Sequence, residues 1–459
     1  MTNGAILAIE NDTGAVRLYA GSASWFDDAV SGKIDGVRIR NQSGSCLKPF
    51  LYALALDSGF TPAEILPDLP TVFGGPEAYI PSNFNRRFNG PVRLRVALAS
   101  SLNIPAVYTL ERLGVEAFED YLVSLGFDSI ADTRFSHGTG LALGNGEVSL
   151  EELVRAFSAF PRGGLLPSLR WWEAGDDEGE ARRVMSPYAA WVIADILSDR
   201  ASRFTGFGPA PALATDFPAM FKTGTANQFQ HIWALGASRR FTLGVWMGNF
   251  SGETVIGRTG SSIPARIAAE LLRVLEGPED PALPDRRGNG AGGPSGPLGG
   301  PPPETAEGVL ICALSGMAAG PDCGGVLREW LPRNRRSGPC TWHHPGGLAY
   351  PPEYQAWLEE RFRWGRGAAG PSFADAAGSI RLPVSGSVYY LDPALPPEAQ
   401  ALRLETAGFA PEAAVSLDGI LQGVLNSAGV YALPLFRGRH RVTVEDETGA
   451  AAWTDFEVR

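Results

Sequence analysis

The stretch from Gly277 to Glu304 reads GPEDPALPDRRGNGAGGPSGPLGGPPPE, and it decides how the chain can be divided. Glycine loses more conformational freedom on folding than any other residue, and proline has no N–H for a helix or sheet ladder. A stretch built from these two, with few apolar side chains, reads as a linker. The chain of 459 residues, long enough for about three folded units, is therefore expected to fall into residues 1–276, the linker 277–304, a connecting region 305–370 and a terminal domain 371–459.

Within the first part, residues 4–20 (GAILAIENDTGAVRLYA) alternate apolar and polar on either side of Asp12-Thr13-Gly14, the pattern of a β-hairpin. From Ser45 onward Leu47, Leu51 and Leu54 take helical spacing, and residues 93–127 and 149–161 are also expected to be helical. After Pro218 the period returns to two through AMFKTGT, HIWALGA and FTLGVWMG, an antiparallel meander, and residues 262–276 close the region as an amphipathic helix. Strands, then helices, then strands and a closing helix define an α+β fold. The connecting region holds three cysteines, two adjacent histidines and several tryptophans. The tail from Ser379 carries short alternating runs punctuated by Asp418-Gly419 and Thr448-Gly449, as a small β-sandwich would.

A net charge of -11 and a pI near 5.1 argue against a nucleic-acid partner. No run approaches 18 apolar residues, so no transmembrane segment is expected, and the first residues lack the basic start and apolar core of a signal peptide. Among the 39 basic residues only Lys33, Lys48 and Lys222 are lysines. Arginine substitutes for lysine on most solvated surfaces but stays charged, whereas a buried lysine can be neutralised to act as a base. The lysines that remain are therefore where chemistry should be sought.

Lys48 ends Ser45-Cys46-Leu47-Lys48, where positions i and i+3 share a face, so the amine can reach the Ser45 hydroxyl. In isolation such a pair reads as a capping serine followed by a solvated lysine. Ser101-Leu102-Asn103 supplies a hydroxyl able to relay a proton and a carboxamide able to hold a substrate amide. Lys222-Thr223-Gly224-Thr225 lies on a strand, where Lys and Thr can bind a carboxylate and Gly leaves room for a peptide added as a further strand. Its bland alternative is an edge strand guarded by a lysine. S-x-x-K, S-x-N and K-T-G in this order, using two of three lysines, form a specific joint pattern.

That pattern, with the segments SGSCLKPFLYALALDSG, PSNFNRRFNGPVRLRVALASSLNIPAV and GEVSLEELVRAFSAFPRGG, closely resembles the transpeptidase domain of class A penicillin-binding proteins. The cysteine-containing segment and the terminal β-domain resemble the 1C type. The resemblance implies a penicillin-binding serine transpeptidase fold, an antiparallel sheet flanked by helices with a helical subdomain, followed by a small β-sandwich. It implies a peptidoglycan D,D-transpeptidase that forms an acyl-enzyme on Ser45 with Lys48 as general base. Ser101 would relay protons, Asn103 would orient the substrate, and Lys222, Thr223 and Gly224 would form the donor-carboxylate site. The Ser45 and Thr225 N–H groups would make the oxyanion hole. Implied partners are stem peptides, β-lactam antibiotics and, through the C-terminal domain, other cell-wall synthesis proteins, at the periplasmic face of the inner membrane. No cofactor is implied. Class A members also carry a membrane anchor and a glycosyltransferase domain, and neither is expected within these residues. A chain cut near Leu275 is expected to fold and bind penicillin, with some loss of stability if residues 306–370 pack back onto it.

Cys46 stands where many relatives carry a small hydroxyl residue and is read as a small core residue. For Cys312, Cys323 and Cys340 a disulfide between two, with the third buried, is the favoured expectation. Zinc with His343 or His344 is the alternative, because C-x10-C-x16-C-x2-H lacks a paired C-x2-C. Rival readings are a serine β-lactamase or D,D-carboxypeptidase and a non-catalytic wall-binding module. The β-lactamase would need a deacylating base, and Glu147, Glu151 and Glu152 sit in a structural helix-start context. Intact Ser45, Lys48 and Lys222 argue against the binding module.

Overall fold

The two apolar runs around Asp12-Thr13-Gly14 pair as β1 (Asn3–Glu10) and β2 (Val16–Ala20), with Gly14 at φ +70° in the turn. The structure, a computed structural model, describes residues 2–73, 81–83, 87–171, 180–207, 211–213, 215–226, 230–251, 253–255, 260, 262–277, 297–345, 347–363, 379–383, 387–389, 401–410, 412–426, 429–447 and 451–458. The expected meander supplies β3 (Met220–Thr225), β4 (His231–Ala237) and β5 (Phe241–Gly248). All five strands form one antiparallel sheet in the order β2-β1-β5-β4-β3, which leaves β3 at an edge.

Side-chain alternation gives the sheet two apolar faces. Ala8, Phe221, Ala234, Leu243 and Val245 pack against Ala265, Ala268, Ala269 and Leu272 of the closing helix Ile263–Glu276. Ala5, Leu7, Ile9, Leu235 and Trp246 share the larger core with Leu150, Leu153 and Val154 of the helix Leu150–Phe157 and with the helical subdomain. That subdomain is built from α1 (Lys48–Asp57), α2 (Leu94–Ala99), α3 (Ile104–Leu113) and the helix Pro187–Ser198, with Phe50 centred between Phe127 and Phe160 at 5.5 Å ring separations. The α+β fold expected from the sequence is the fold observed.

The chain divides into two compact units, Met1–Glu360 and Arg361–Arg459. Most of the Gly/Pro stretch, residues 278–296, lies outside the described residues, but Leu298 is buried in the first unit's core. Beyond it, β6 (Ala306–Cys312) and β7 (Val326–Pro332) form an antiparallel hairpin that packs back onto the helices. Fully buried Glu329 on β7 accepts from Arg95 Nε at 2.8 Å and Nη2 at 2.6 Å, and lies 3.2 Å from Arg93 Nη1. Tyr188 donates to the Trp330 carbonyl at 3.0 Å, Trp191 meets the Trp330 ring edge-on, and Trp357 Nε1 donates to Phe88 O at 3.0 Å.

The second unit has a three-stranded sheet (Ser379–Leu382, Ala401–Ala407, Val430–Pro434) and a five-stranded sheet (Ser387–Tyr389, Ala451–Val458, Gly438–Glu445, Ala414–Leu417, Ile420–Val424). Leu404 and Leu433 from one sheet share a core with Val415, Val442, Val444 and Phe456 from the other. Asp418 and Gly419, at φ +52° and +81°, make the turn their sequence demands. Thr448-Gly449 lies outside the described residues.

Removing one partner from a buried ion pair leaves a charge without compensation. Glu329→Ala is expected to destabilise the first unit by about 3 kcal/mol, read as a lower urea midpoint at unchanged slope. A change within about 0.5 kcal/mol would mean that Asp195 and Asp199, also bonded to Arg95, satisfy it without the hairpin.

Candidate active site

Ser45 lies in a 3-10 turn, Gly44–Leu47, that runs directly into α1, with Pro49 in the helix's first turn where a missing N–H costs nothing. Ser45 is partly exposed and Lys48 is fully buried. Lys48 Nζ donates to Ser101 O at 2.8 Å, Leu102 O at 3.0 Å and Asn103 Oδ1 at 2.7 Å. Those acceptors match the three N–H bonds of an ammonium. Among the described residues no hydrogen bond joins Ser45 Oγ to Lys48, and the amine is anchored instead on the S-x-N segment. Burial, and next the charge of Lys222, push the Lys48 pKa well below that of a free lysine, against the pull of Asp68.

The S-x-N segment owes its shape to how α2 ends. Ser101 N donates to Leu98 O at 3.0 Å and Leu102 N to Ala97 O at 2.9 Å, the two bonds of a Schellman motif. The residue at its left-handed position is Ser101, at φ +56°, where glycine is the usual occupant. The reversal turns two carbonyls toward Lys48 and leaves Ser101 Oγ to accept from Lys222 Nζ at 2.8 Å. Lys48 and Lys222 therefore hold one residue from two sides.

Lys222 and Thr223, both buried, sit on edge strand β3, and Lys222 Nζ also donates to Thr223 O at 2.8 Å. Burial, with a smaller contribution from Arg203, lowers the Lys222 pKa to about 8. Ala226 N donates across the ladder to His231 O at 2.9 Å. Alternation along an antiparallel strand then aims the Thr225 N–H away from β4, toward the open edge. The Ser45 turn occupies that edge: a Cβ on Gly44, which has φ +55°, would lie 2.4 Å from Thr225 O and 2.9 Å from Thr225 N. Gly224 has a packing reason besides the one read from the sequence. A Cβ there would lie 2.2 Å from Ser43 O and 2.7 Å from Cys46 Sγ. Glycine at this position is what lets β3 and the serine turn close on each other.

Several functional neighbours carry no sequence motif. Asp68 is fully buried and accepts from Asn83 Nδ2 at 2.8 Å and Asn89 N at 2.9 Å; Asn83 Oδ1 accepts from Asn103 N at 2.8 Å. This chain of polar groups fixes Asn103, which donates from Nδ2 to Ser82 O at 2.7 Å. Buried Arg203 adds positive charge beside Lys222. The period of apolar residues gives no signal for any of these four; only the polar identity of residues inside an otherwise helix-and-strand segment could have pointed to them.

Cys46 is fully buried and its thiol is pushed up to about 12 by burial, so it stays protonated as a small core residue. Glu152 forms a capping box with Ser149 and also accepts from Ser129 N and Oγ at 2.9 Å. Glu151 faces Arg38 at 3.5 Å and Glu147 is exposed. None of the three is hydrogen-bonded to Ser45 among the described residues. The disulfide expectation is overturned: Cys312, Cys323 and Cys340 are all free thiols, although their sulfurs lie close together.

A lysine-flanked serine turn beside an edge strand of a helix-covered antiparallel sheet is the arrangement of the penicillin-binding transpeptidases. The penicillin binding protein transpeptidase domain family matches residues 4–272, and the chain belongs to that family; the penicillin-binding protein C-terminus family matches residues 371–456. It is a class A transpeptidase region of the 1C type, and it is 34% identical over 283 residues to penicillin-binding protein 1C of Escherichia coli (strain K12), covering 60% of this chain and 36% of that protein. It is 27% identical over 316 residues to penicillin-binding protein 1A of Neisseria meningitidis serogroup A, covering 64% and 38%. Its fold is similar to that of penicillin-binding protein 1A from Haemophilus influenzae, at TM-score 0.60 and 22% identity over 73% of this chain and 54% of that one. The chain thus spans little more than a third of the length of the curated relatives it matches. No helix among the described residues is long and apolar enough to cross a membrane.

The left-handed conformation costs a non-glycine residue roughly 1–2 kcal/mol. At Ser101 the ordinary preference for alanine over glycine is expected to invert: Ser101→Ala should be less stable than Ser101→Gly by about 1 kcal/mol, measured by thermal unfolding. Equal or reversed stabilities would mean that the turn relaxes once the bond to Lys222 is lost.

Proposed function

We propose that the chain is a peptidoglycan D,D-transpeptidase that acts through an acyl-enzyme on Ser45 and is acylated by β-lactams at the same oxygen. The observation that carries this reading is the pair of buried amines converging on Ser101, one at its carbonyl and one at its hydroxyl. A donor stem peptide ending in D-Ala-D-Ala lies along the open edge of β3, its terminal carboxylate met by Lys222 and Thr223 with the positive field of Arg203 behind them. Lys48, as the neutral amine its burial favours, takes the proton from Ser45 Oγ while that oxygen attacks the penultimate carbonyl carbon. The oxyanion accepts from the Ser45 and Thr225 N–H groups. The proton then passes through the Ser101 hydroxyl to the amine of the departing D-alanine as the C–N bond breaks. Attack on the ester by an acceptor amine forms the cross-link and returns Ser45. With a β-lactam the amine that departs stays tethered to the acyl group, so the acceptor cannot take its place. Asn103, pinned by Asn83 and Lys48, orients the donor's amide.

In the same reading residues 1–276 carry the chemistry, residues 371–459 form a separate β-domain that meets other cell-wall synthesis proteins, and the protein works at the periplasmic face of the inner membrane.

Labelled penicillin tests the assignment. Ser45→Ala should abolish covalent labelling, and Lys48→Arg should nearly do so, because a guanidinium cannot accept the proton. Lys222→Ala should slow acylation far more than it lowers thermal stability. Acylation should rise with pH as Lys48 deprotonates. For a carboxylate-bearing penicillin it should fall as pH passes about 8, where Lys222 loses its charge. Label on a peptide that lacks Ser45, or undiminished labelling of Lys48→Arg, would overturn the mechanism.

A further inference from the structure

We propose that Cys312, Cys323, Cys340 and His343 bind one zinc ion, a structural site that ties the 306–345 segment together outside the transpeptidase machinery. Cys312 ends β6, Cys323 lies in the connection to β7, and Cys340 and His343 follow β7. One ligand atom from each of the four lies within 4.8 Å of every other. The His343 Nδ1 atom is 3.4 Å from both Cys312 Sγ and Cys340 Sγ. Tetrahedral zinc, with bonds of about 2.3 Å to sulfur and about 2.0 Å to nitrogen, sets its sulfur and nitrogen ligands about 3.5 Å apart and its sulfurs about 3.8 Å apart. The two 3.4 Å nitrogen–sulfur spacings are those of ligands around a shared ion, and the other pairs are near enough to close on it. A disulfide would bring two sulfurs to about 2.05 Å, and no such bond exists here.

The surroundings suit thiolates. Ser315 N donates to Cys312 Sγ at 3.5 Å, Gly320 N donates to Cys323 Sγ at 3.3 Å, and the Ser315 hydroxyl lies 3.2 Å from Cys340 Sγ. Such donors stabilise negative sulfur and fix its direction, as outer partners of metal ligands do. The segments that bear the ligands are also stitched by backbone bonds at one place. Cys312 N donates to Met317 O at 2.7 Å, Ala318 N to Gly338 O at 3.0 Å, and Cys340 N to Ala318 O at 2.9 Å.

The end of this segment that carries the cysteines has little else to fasten it. Away from the face that packs on the helices through Ala306 and Trp330, its own apolar cluster is only Ile311 and Leu331 with Ala63, while Leu310, Val326 and Leu327 face solvent. Small elements with little apolar surface of their own are commonly held by cross-links or metal. Three thiols leave any single disulfide with an odd sulfur, whereas a Cys3His set uses all three and the imidazole. Three soft thiolates and one imidazole, without a carboxylate, select zinc over hard cations, and four protein ligands leave no open position for catalysis. Binding replaces the thiol protons, which pass to solvent, so affinity rises with pH. The consequence reaches the transpeptidase body, because the hairpin held by this site presents Glu329 to Arg93 and Arg95.

The test uses the full chain purified under reducing, chelator-free conditions. Elemental analysis should find one zinc per chain, released when a mercurial reagent blocks the thiols. Replacement by Co2+ should give the thiolate charge-transfer and intense visible bands of tetrahedral cobalt. Cys323→Ser and Cys340→Ser should each weaken binding by at least roughly tenfold, while His344→Ala, altering the exposed neighbour, should keep the full equivalent. The cobalt spectrum of the unaltered chain decides the matter without any variant. A chain that holds no metal and gives no tetrahedral cobalt spectrum overturns the proposal. So does a disulfide among the three cysteines, or zinc retained undiminished in both cysteine variants.

Discussion

An ammonium group buried away from water is expensive unless its donors are met, and Lys48 is fully buried. Its three acceptors all come from residues 101–103, so the segment that follows α2 must arrive at the N-terminus of α1 with its carbonyls facing inward. That requirement explains the sharp left-handed reversal at Ser101, the abutment of the two helices, and the polar chain running from Asn103 through Asn83 to Asp68. Asp68 is the one carboxylate among these groups. Its negative charge favours the charged form of Lys48, against burial and the like charge of Lys222, which both disfavour it.

The same closeness governs β3. An edge strand is ordinarily a hazard, because unpaired N–H and C=O groups recruit other strands. Here the edge is partly filled by the turn that carries Ser45, packed so tightly that neither Gly44 nor Gly224 has room for a Cβ. What stays open is short and chemically marked. A Thr225 N–H is aimed outward beside Ser45, and two buried cations, Lys222 and Arg203, lie behind it. In the proposed reaction the donor peptide completes the sheet there with its terminal carboxylate toward these cations. On that reading, the feature that invites association would also set what is admitted.

Much of this was legible in the sequence because it rests on local rules. Alternation about Asp12-Thr13-Gly14 specified the hairpin, and the period-two runs after Pro218 specified β3, β4 and β5. The scarcity of lysine pointed to Lys48 and Lys222, and the structure brings both to Ser101. What escaped was non-local. Asp68, Asn83 and Arg203 matter because of what the fold packs against them, and nothing in their immediate neighbours records it. Gly224 was read for the ligand it would admit, whereas Ser43 and Cys46, far away in sequence, also demand it. The grouping of the cysteines is non-local in the same way: C-x10-C-x16-C-x2-H has no adjacent pair, and the return of the chain past Ala318 gathers the sulfurs.

The segment after the Gly/Pro stretch raises a last physical question, which is why Glu329 is buried at all. Exchanging a buried ion pair for apolar side chains is often neutral or stabilising, and the Arg95 site already has Asp195 and Asp199. An apolar contact, however, tolerates sliding, while a guanidinium gripped by Glu329 through both Nε and Nη2 fixes direction as well as distance. Arg95 lies on α2, whose far end carries Ser101. A bidentate clamp at one end of a helix only six residues long leaves little freedom at the other, so the hairpin beyond the linker constrains the turn on which both lysines converge. On this view residues 306–360 belong to the working of the site through geometry, without any of their side chains entering it.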